Sequence, residues 1–489
     1  MSDLLHDPLG VVNVGPDLFV ASVERAGAPV VSLDWRPAGD GDPGLAWTLA
    51  ALTGDATDPE AAGSRVDAAN ELAVERMLAA RAVLVDVAPR ADAVWPELWA
   101  GGKRTLTHAG APIAWARMCD PMKGTLVGAM LYEGWAKDAD EAQARLARGE
   151  VALVPNHDLG AVGPMSGTIS PSMPLFVVRN PVHGNTAYSN FSEGIGRVLR
   201  FGAYGGDVIE RLKWLAGTIA PAIKTALAGL PDGVDLKAIQ SQALLMGDEV
   251  HSRNAAATAL FHMAIGGALA GSPFDRARAR AALDFIAATS QFFLNLSMAA
   301  SKAIMDATHG VERSSIVTAI ARNGVTTAIR VSGLGRRWFE APSDTPVGLY
   351  FPGFRQEDAN ADLGDSAICE TAGYGGQSLA ASPALVQLVG GSVAEAIAYS
   401  REMVHVTWTR NPVLSLPNLE FAGAPAGIDV RKVVDTGIRP VLTTGIAHKQ
   451  AGVGQIGAGI VRAPMACFTQ ALAALATEQA AGCGPKTGD

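Results

Sequence analysis

Between residues 447 and 459 the chain reads Ala-His-Lys-Gln-Ala-Gly-Val-Gly-Gln-Ile-Gly-Ala-Gly, so that His448 and Lys449 precede a backbone almost free of side chains. Glycine permits positive φ and close backbone approach, and successive N–H groups in such a run can form a nest for a phosphate or carboxylate, with Lys449 as countercharge. Gly452, Gly454, Gln455 and Gly457 are therefore candidate anion-binding positions. The run also holds a GxGxxG spacing from Gly452 to Gly457. A dinucleotide fingerprint would open a helix directly after a strand and be followed by an acidic ribose partner, and only Gln470, Glu478 and Gln479 lie near that range. The competing reading is a plain connector between a Val441–Gly445 strand and a Pro464–Thr477 helix.

At 489 residues the chain has room for several domains, by the rough rule of ~150 residues each. Its 48 acidic against 39 basic residues leave no basic field for nucleic acid. Cys119, Cys369, Cys467 and Cys483 show no CxxC spacing, which fits free thiols in a reducing compartment. Residues 1–7 are acidic, unlike a secretory leader, and no apolar run reaches the ~18 residues of a spanning helix, so a soluble, cytoplasmic protein is expected.

The fold class expected is α/β and α+β, multidomain. Gly10–Val14 and Pro29–Trp35 are β-branched runs either side of Asp17–Arg25, whose apolar residues have helical spacing; Asp67–Ala80 then leads to a third apolar run, Ala82–Ala88. These imply a Rossmann-like parallel sheet in residues 1–105, with ligands expected near Gly15-Pro16-Asp17 and Asp34-Trp35-Arg36 at the strand ends. Residues 106–234 read as a loop-rich α+β domain. Residues 235–325 read as a helical subdomain, helical as far as Ala321, and residues 326–480 as a C-terminal α+β domain holding the glycine-rich loop, with strands at Thr326–Ser332 and Val404–Trp408 mixed with Ala-rich segments such as Ser382–Val389 and Ser392–Tyr399. The tail from Ala480 reads as disordered.

Several constellations can carry chemistry. Met246–Asn254 places Asp248, Glu249, His251, Arg253 and Asn254 in what reads as a buried helix, where charges need partners or a use. Glu249 and His251 are proton-transfer candidates, as is His448; Arg253 and Asn254 are candidates to hold an anion. A structural ion pair is the alternative. Arg322-Asn323-Gly324 and Arg330 lie beside turn glycines suited to carboxylate or phosphate capture. Glu370 borders the small-residue loop 371–376, and His108 sits beside Gly110. Cys119 and the remaining histidines read as structural. HxxxH and HExxH are absent, as are GxSxG and a Walker sequence, so neither metal nor cofactor is expected.

Taken together, His108–Ile113, Met118–Trp135, Gly160–Pro174, Asn190–Gly202, Met246–Asn254, Asn295–Gly335, Gly364–Gly376 and Gly427–Gly459 resemble the YlbE-like family, over a match running from about Pro8 to Leu475. GDSAICETAG and TGIAHKQAGVGQIGAG are its most specific blocks. The family is found beside FdrA-like proteins and is linked to the oxamate carbamoyltransferase of anaerobic purine and allantoin breakdown; its first domain resembles the Rossmann-like unit of succinyl-CoA synthetase-type proteins.

The resemblance implies carbamoyl transfer between phosphate and an oxamate-like amide or ureido compound, in an assembly of like chains and FdrA-like subunits. Both the phosphate and the oxamate carboxylate need cations, for which Lys449, Arg322, Arg330 and Arg253 are candidates. An amide nitrogen attacks only as a base, His448 or His251, removes its proton. The usual transcarbamylase sequences SxRTR and HPxQ are absent, so a carbamoyl-transfer site here is a separate solution. A ureido or amide hydrolase and a non-catalytic scaffold subunit remain the alternatives. Asn156–Pro174 and the Ala-rich helices are the surfaces expected to meet other chains.

Overall fold

Short β-branched runs and capped helices set the order of elements in the computed structural model, which describes residues 10–14, 17–33, 37–55, 57–194, 196–385 and 390–481. Asp138, Asp235 and Ser392 begin the helices Ala139–Ala147, Leu236–Leu245 and Val393–Glu402, each side chain accepting the N–H three residues on. The result is a mixed α/β, multidomain structure whose described strands form six sheets.

A β–α–β unit does open the chain. Strands β1 (Val11–Val14) and β2 (Val30–Leu33) pair in parallel around the helix Val20–Arg25. The parallel sheet stops there, which corrects the expectation for the first hundred residues. The third run, β3 (Val83–Ala88), pairs antiparallel with residues far along the chain. A second parallel pair joins β4 (Thr105–His108) to β5 (Ala152–Pro155). With β6 (Ala161–Val162), β7 (Leu175–Arg179), β8 (Thr186–Ser189) and β9 (Val234–Asp235), β3 makes a five-stranded sheet of order β6-β8-β7-β3-β9. An apolar run shows that a strand is buried, not which strand it meets. The ligand positions expected at residues 15–16 and 34–36 lie outside the described residues, as do 386–389 and the tail from 482.

The helical block ends early. Helices run Leu236–Leu245, Ala255–Ala270, Arg276–Ala288 and Leu294–Thr308, but Val317–Asn323 is a strand, β10, buried along its whole length. Its β-branched residues suit a sheet more than a helix. A tight turn at Asn323-Gly324 returns it as β11 (Thr326–Val331); the Asn323 carboxamide accepts the N–H groups of Val325 and Thr326, and Gly324 takes φ 77°. β12 (Phe339–Pro342) and a two-residue strand, Leu363–Gly364, complete that sheet.

Near the C-terminus, Val347–Tyr350 forms the edge of a three-stranded sheet whose other members, Val441–Ala447 and Gln455–Arg462, are the two arms of a hairpin, and Thr407–Leu416 pairs with Ala422–Ile428. The helix Leu294–Thr308 is buried almost throughout and lies against the helix Ala62–Ala79 in the largest apolar core. Most of Asn156–Pro174 is buried as well, so it is core rather than the docking surface its composition suggests. Among the described residues no helix is long and apolar enough to cross a membrane.

Candidate active site

The polar cluster at Met246–Asn254 is a loop, not a helix. Gly247 at φ 92° and Val250 at φ 64° break any helical path. Asp248 faces Arg253 at 3.2 Å, while Arg253 Nε also donates to Gly247 O. Glu249 is fully buried and its carboxylate accepts the N–H groups of His251, Ser252 and Arg253 at 2.5–2.8 Å. Burial pushes its carboxyl up to about 7. With its oxygens engaged on backbone, Glu249 holds the turn that presents His251, and the Asn254 carboxamide ties the same turn through His251 O at 2.6 Å.

His251 reaches across to Glu370. Its Nδ1–H donates to Glu370 Oε1 at 2.8 Å, and the same oxygen accepts the N–H of Thr443 at 3.0 Å and of Gly376 at 3.2 Å. Glu370 thereby fixes ring and tautomer together and leaves Nε2 as a base. His251 lines a partly enclosed cavity together with Arg200, Ser252, Gln291, Ser366 and Gln455. The cavity holds about 30 Å³, room for about two water molecules, so it admits one end of a small molecule.

The glycine-rich run is the hairpin's turn and second arm, not an anion nest. The N–H groups of His448, Lys449, Gln450 and Gly452 already donate to Gly454 O, Asp358 O, His448 Nδ1 and Phe201 O. Lys449 is exposed and its ammonium donates to Glu357 O at 2.6 Å, and the His448 ring meets Phe354 edge-on at 5.8 Å between centroids. A Cβ on Gly457 would lie 2.4 Å from Leu349 O, so that glycine lets two strands close up. Gly452 and Gly454, at φ 81° and 110°, instead let the turn press on the loop that carries Arg200. Of the run, Gln455 and Ala458 line the cavity with His251, and Gln455 alone of the two brings a polar side chain; His448 and Lys449 are not among its lining residues.

Arg200 was not singled out in the sequence. The carboxylate of buried Glu193 accepts the N–H groups of Leu199 and Arg200, and Arg200 Nη2 donates to Gly194 O at 2.7 Å. Its Nη1 has no partner among the described residues and is not sealed in the core. Burial pushes the Glu193 carboxyl up and the Arg200 guanidinium down, but an arginine starts so high that it keeps its charge. Glycines flanking an arginine, with Glu193 nearby, are the signal that would have found it. Ser366, inside the GDSAICETAG block, and Gln291 were also missed, and Gln291 carries no sequence signal at all.

Other candidates lie outside the cavity. Fully buried Arg322 is bound by Asp362 at 2.8 Å and touches Ser366 and Thr444 at 3.4 Å, one layer behind the cavity wall. Asn323 closes its turn and donates to Ala111 O. Arg330 pairs with Asp158 and stacks 4.2 Å from the Trp338 ring centroid. His108 donates through Nδ1 to Ala109 O at 2.9 Å within the core. Asp365 joins three segments by accepting from Gly110 N, Gly163 N and Asn156 Nδ2, and burial pushes it up to about 6. Burial pushes the Cys119 thiol up to about 11, which suits a packing role.

A family model described as oxamate carbamoyltransferase subunit AllG matches residues 151–366, which include Arg200, His251, Gln291 and Ser366. The oxamate carbamoyltransferase subunit AllG of Escherichia coli K12 is 50% identical over 415 residues, covering 85% of this chain and 98% of that protein. This chain belongs to the AllG family. A second relative in the same organism, the uncharacterized protein YahG, is 42% identical over 469 residues, covering 96% of this chain and 97% of its own. A crystal structure of a conserved protein of unknown function from Enterococcus faecalis V583 superposes with TM-score 0.81 at 42% identity, covering 85% of this chain and 98% of that one. The carbamoyltransferase connection of the AllG family thus agrees with the resemblance read from the sequence blocks.

Proposed function

We propose that the cavity between His251 and Arg200 is where this subunit takes part in carbamoyl transfer between phosphate and an oxamate-like amide. The observation that carries the reading is the juxtaposition of a base and a cation: His251, its Nδ1 held by Glu370, and Arg200, its Nη1 unpartnered, in one small cavity.

The amide nitrogen forms a bond to the carbonyl carbon of carbamoyl phosphate while the carbon–oxygen bond to phosphate breaks and phosphate leaves with that electron pair. His251 Nε2 takes the proton the nitrogen must lose, and Arg200 binds the substrate's carboxylate. Glu370 acts through His251. In reverse, phosphate attacks the ureido carbonyl of oxalurate and the protonated imidazole returns the proton.

Two substrates exceed a space of about 30 Å³. That supports a site completed by partner subunits of FdrA-like type and, in the cell, a place in purine breakdown. The test is phosphate-dependent carbamoyl transfer by the purified chain, alone and with those subunits, against His251→Gln. Transfer that needs the assembly and is lost with His251→Gln supports the reading. Cleavage without phosphate identifies a hydrolase, and full transfer by the variant leaves the cavity out of the chemistry.

A further inference from the structure

Two glutamines of the cavity have their amides fixed end for end. Gln455 Nε2 donates to Gly457 O at 2.9 Å, and Gln291 Nε2 donates to Ser252 O. A backbone carbonyl accepts hydrogen bonds and never donates one, so the nitrogen of each amide must face it and the oxygen must turn away. Neither Oε1 has a hydrogen-bond partner among the described residues, and neither is sealed off as a buried orphan. Both side chains line the cavity with Arg200 and with His251, whose Nε2 is likewise an acceptor. The hydroxyls of Ser252 and Ser366 can donate or accept and so do not discriminate.

We infer that Gln291 and Gln455 are specificity-determining residues that read the terminal –NH2 of a carboxamide. A primary amide offers two N–H donors to the two fixed carbonyl acceptors, and as the nitrogen attacks one of those protons passes to His251 Nε2, which lines the same cavity as a base. A carboxylate of the same shape offers none and turns its negative oxygens toward theirs. The single arginine of the cavity then serves the other, anionic end of the molecule. The ligand class is a small anion bearing a primary carboxamide, as against a dicarboxylate of equal size. The inference rests on the reading of the cavity proposed above, and deepens it by naming what selects the amide.

Oxamate and oxalate differ by this one group and are the probes, titrated by calorimetry into the full chain and into its complex with partner subunits. A site built around donors of the ligand rejects the analogue lacking them, so oxamate should bind at least about 30-fold more tightly. Gln291→Met and Gln455→Met, each with its fold checked by circular dichroism, should shrink that preference by weakening oxamate without weakening oxalate. Equal binding of the two probes by the unaltered protein, or a preference that survives both substitutions, overturns the inference and leaves the proposed site standing. Binding of neither probe in chain or complex removes the cavity from the reaction and takes both readings with it.

Discussion

A Cβ placed on Gly454 would lie 2.6 Å from the carbonyl oxygen of Gly196, and Gly454 itself holds φ 110°. The turn of the C-terminal hairpin therefore meets the loop of Arg200 backbone to backbone, and only glycine permits that approach. Gly454→Ala should cost about 1–3 kcal/mol of stability through strain and displacement of the partner loop. Because that loop ends at Arg200, anion affinity should fall along with the denaturation midpoint. A variant unchanged in both would show that the contact does not position the arginine.

Arg200 and Lys449 separate two readings of where the anion binds. A charge-assisted contact is worth about 1.5–3 kcal/mol, so Arg200→Lys, which loses the fork geometry, should weaken oxamate binding by roughly 10- to 100-fold. Lys449 is exposed and already bonded to Glu357 O, so Lys449→Ala should change affinity by less than about 3-fold. The reverse ranking in a calorimetric titration would return the anion to the hairpin turn.

Glu370 touches His251 and three backbone or side-chain groups around it, but it is not among the residues that line the cavity. Glu370→Gln should lower kcat by about 100-fold or more, with KM changed far less. His251→Gln should lower kcat at least as much, and the double variant should be little worse than His251→Gln alone. Additive losses would mean that the two residues act separately.

His309 provides a test of stability against pH. Burial, reinforced by Lys302, pushes its imidazole down to about 4, while an unfolded histidine titrates near 6.5. Between those values the unfolded chain binds the proton and the folded one does not, so stability is present above about 6.5 and lost as pH falls toward 4. The loss is on the order of 2 kcal/mol after allowance for partial exposure. His309→Gln should show a smaller fall in Tm between pH 7 and 5 than the unaltered protein, and parallel curves would assign the acid sensitivity to other groups.

Element types were legible from residue patterns. The strands Val83–Ala88, Thr326–Val331 and Val441–Ala447 and the first parallel unit all follow from β-branched runs and spacing that act over a few residues. The family blocks were legible too, because they are local strings. Met246–Asn254 was recognised as a place where charge is concentrated, yet its helical reading failed: two left-handed residues and a buried carboxylate over three N–H groups outweigh helical propensity.

What the sequence determined by itself was thus a mixed α/β chain, glycines that must approach something closely, and a histidine and acids needing partners. Which groups met was decided only in three dimensions. His251 and Glu370 are 119 residues apart, and Gly454 meets a glycine of the Asn190–Gly202 block rather than a phosphate. Pairing at that range depends on the packing of buried strands and helices that no local pattern encodes, and it turned an apparent anion loop into the support for an arginine elsewhere in the chain.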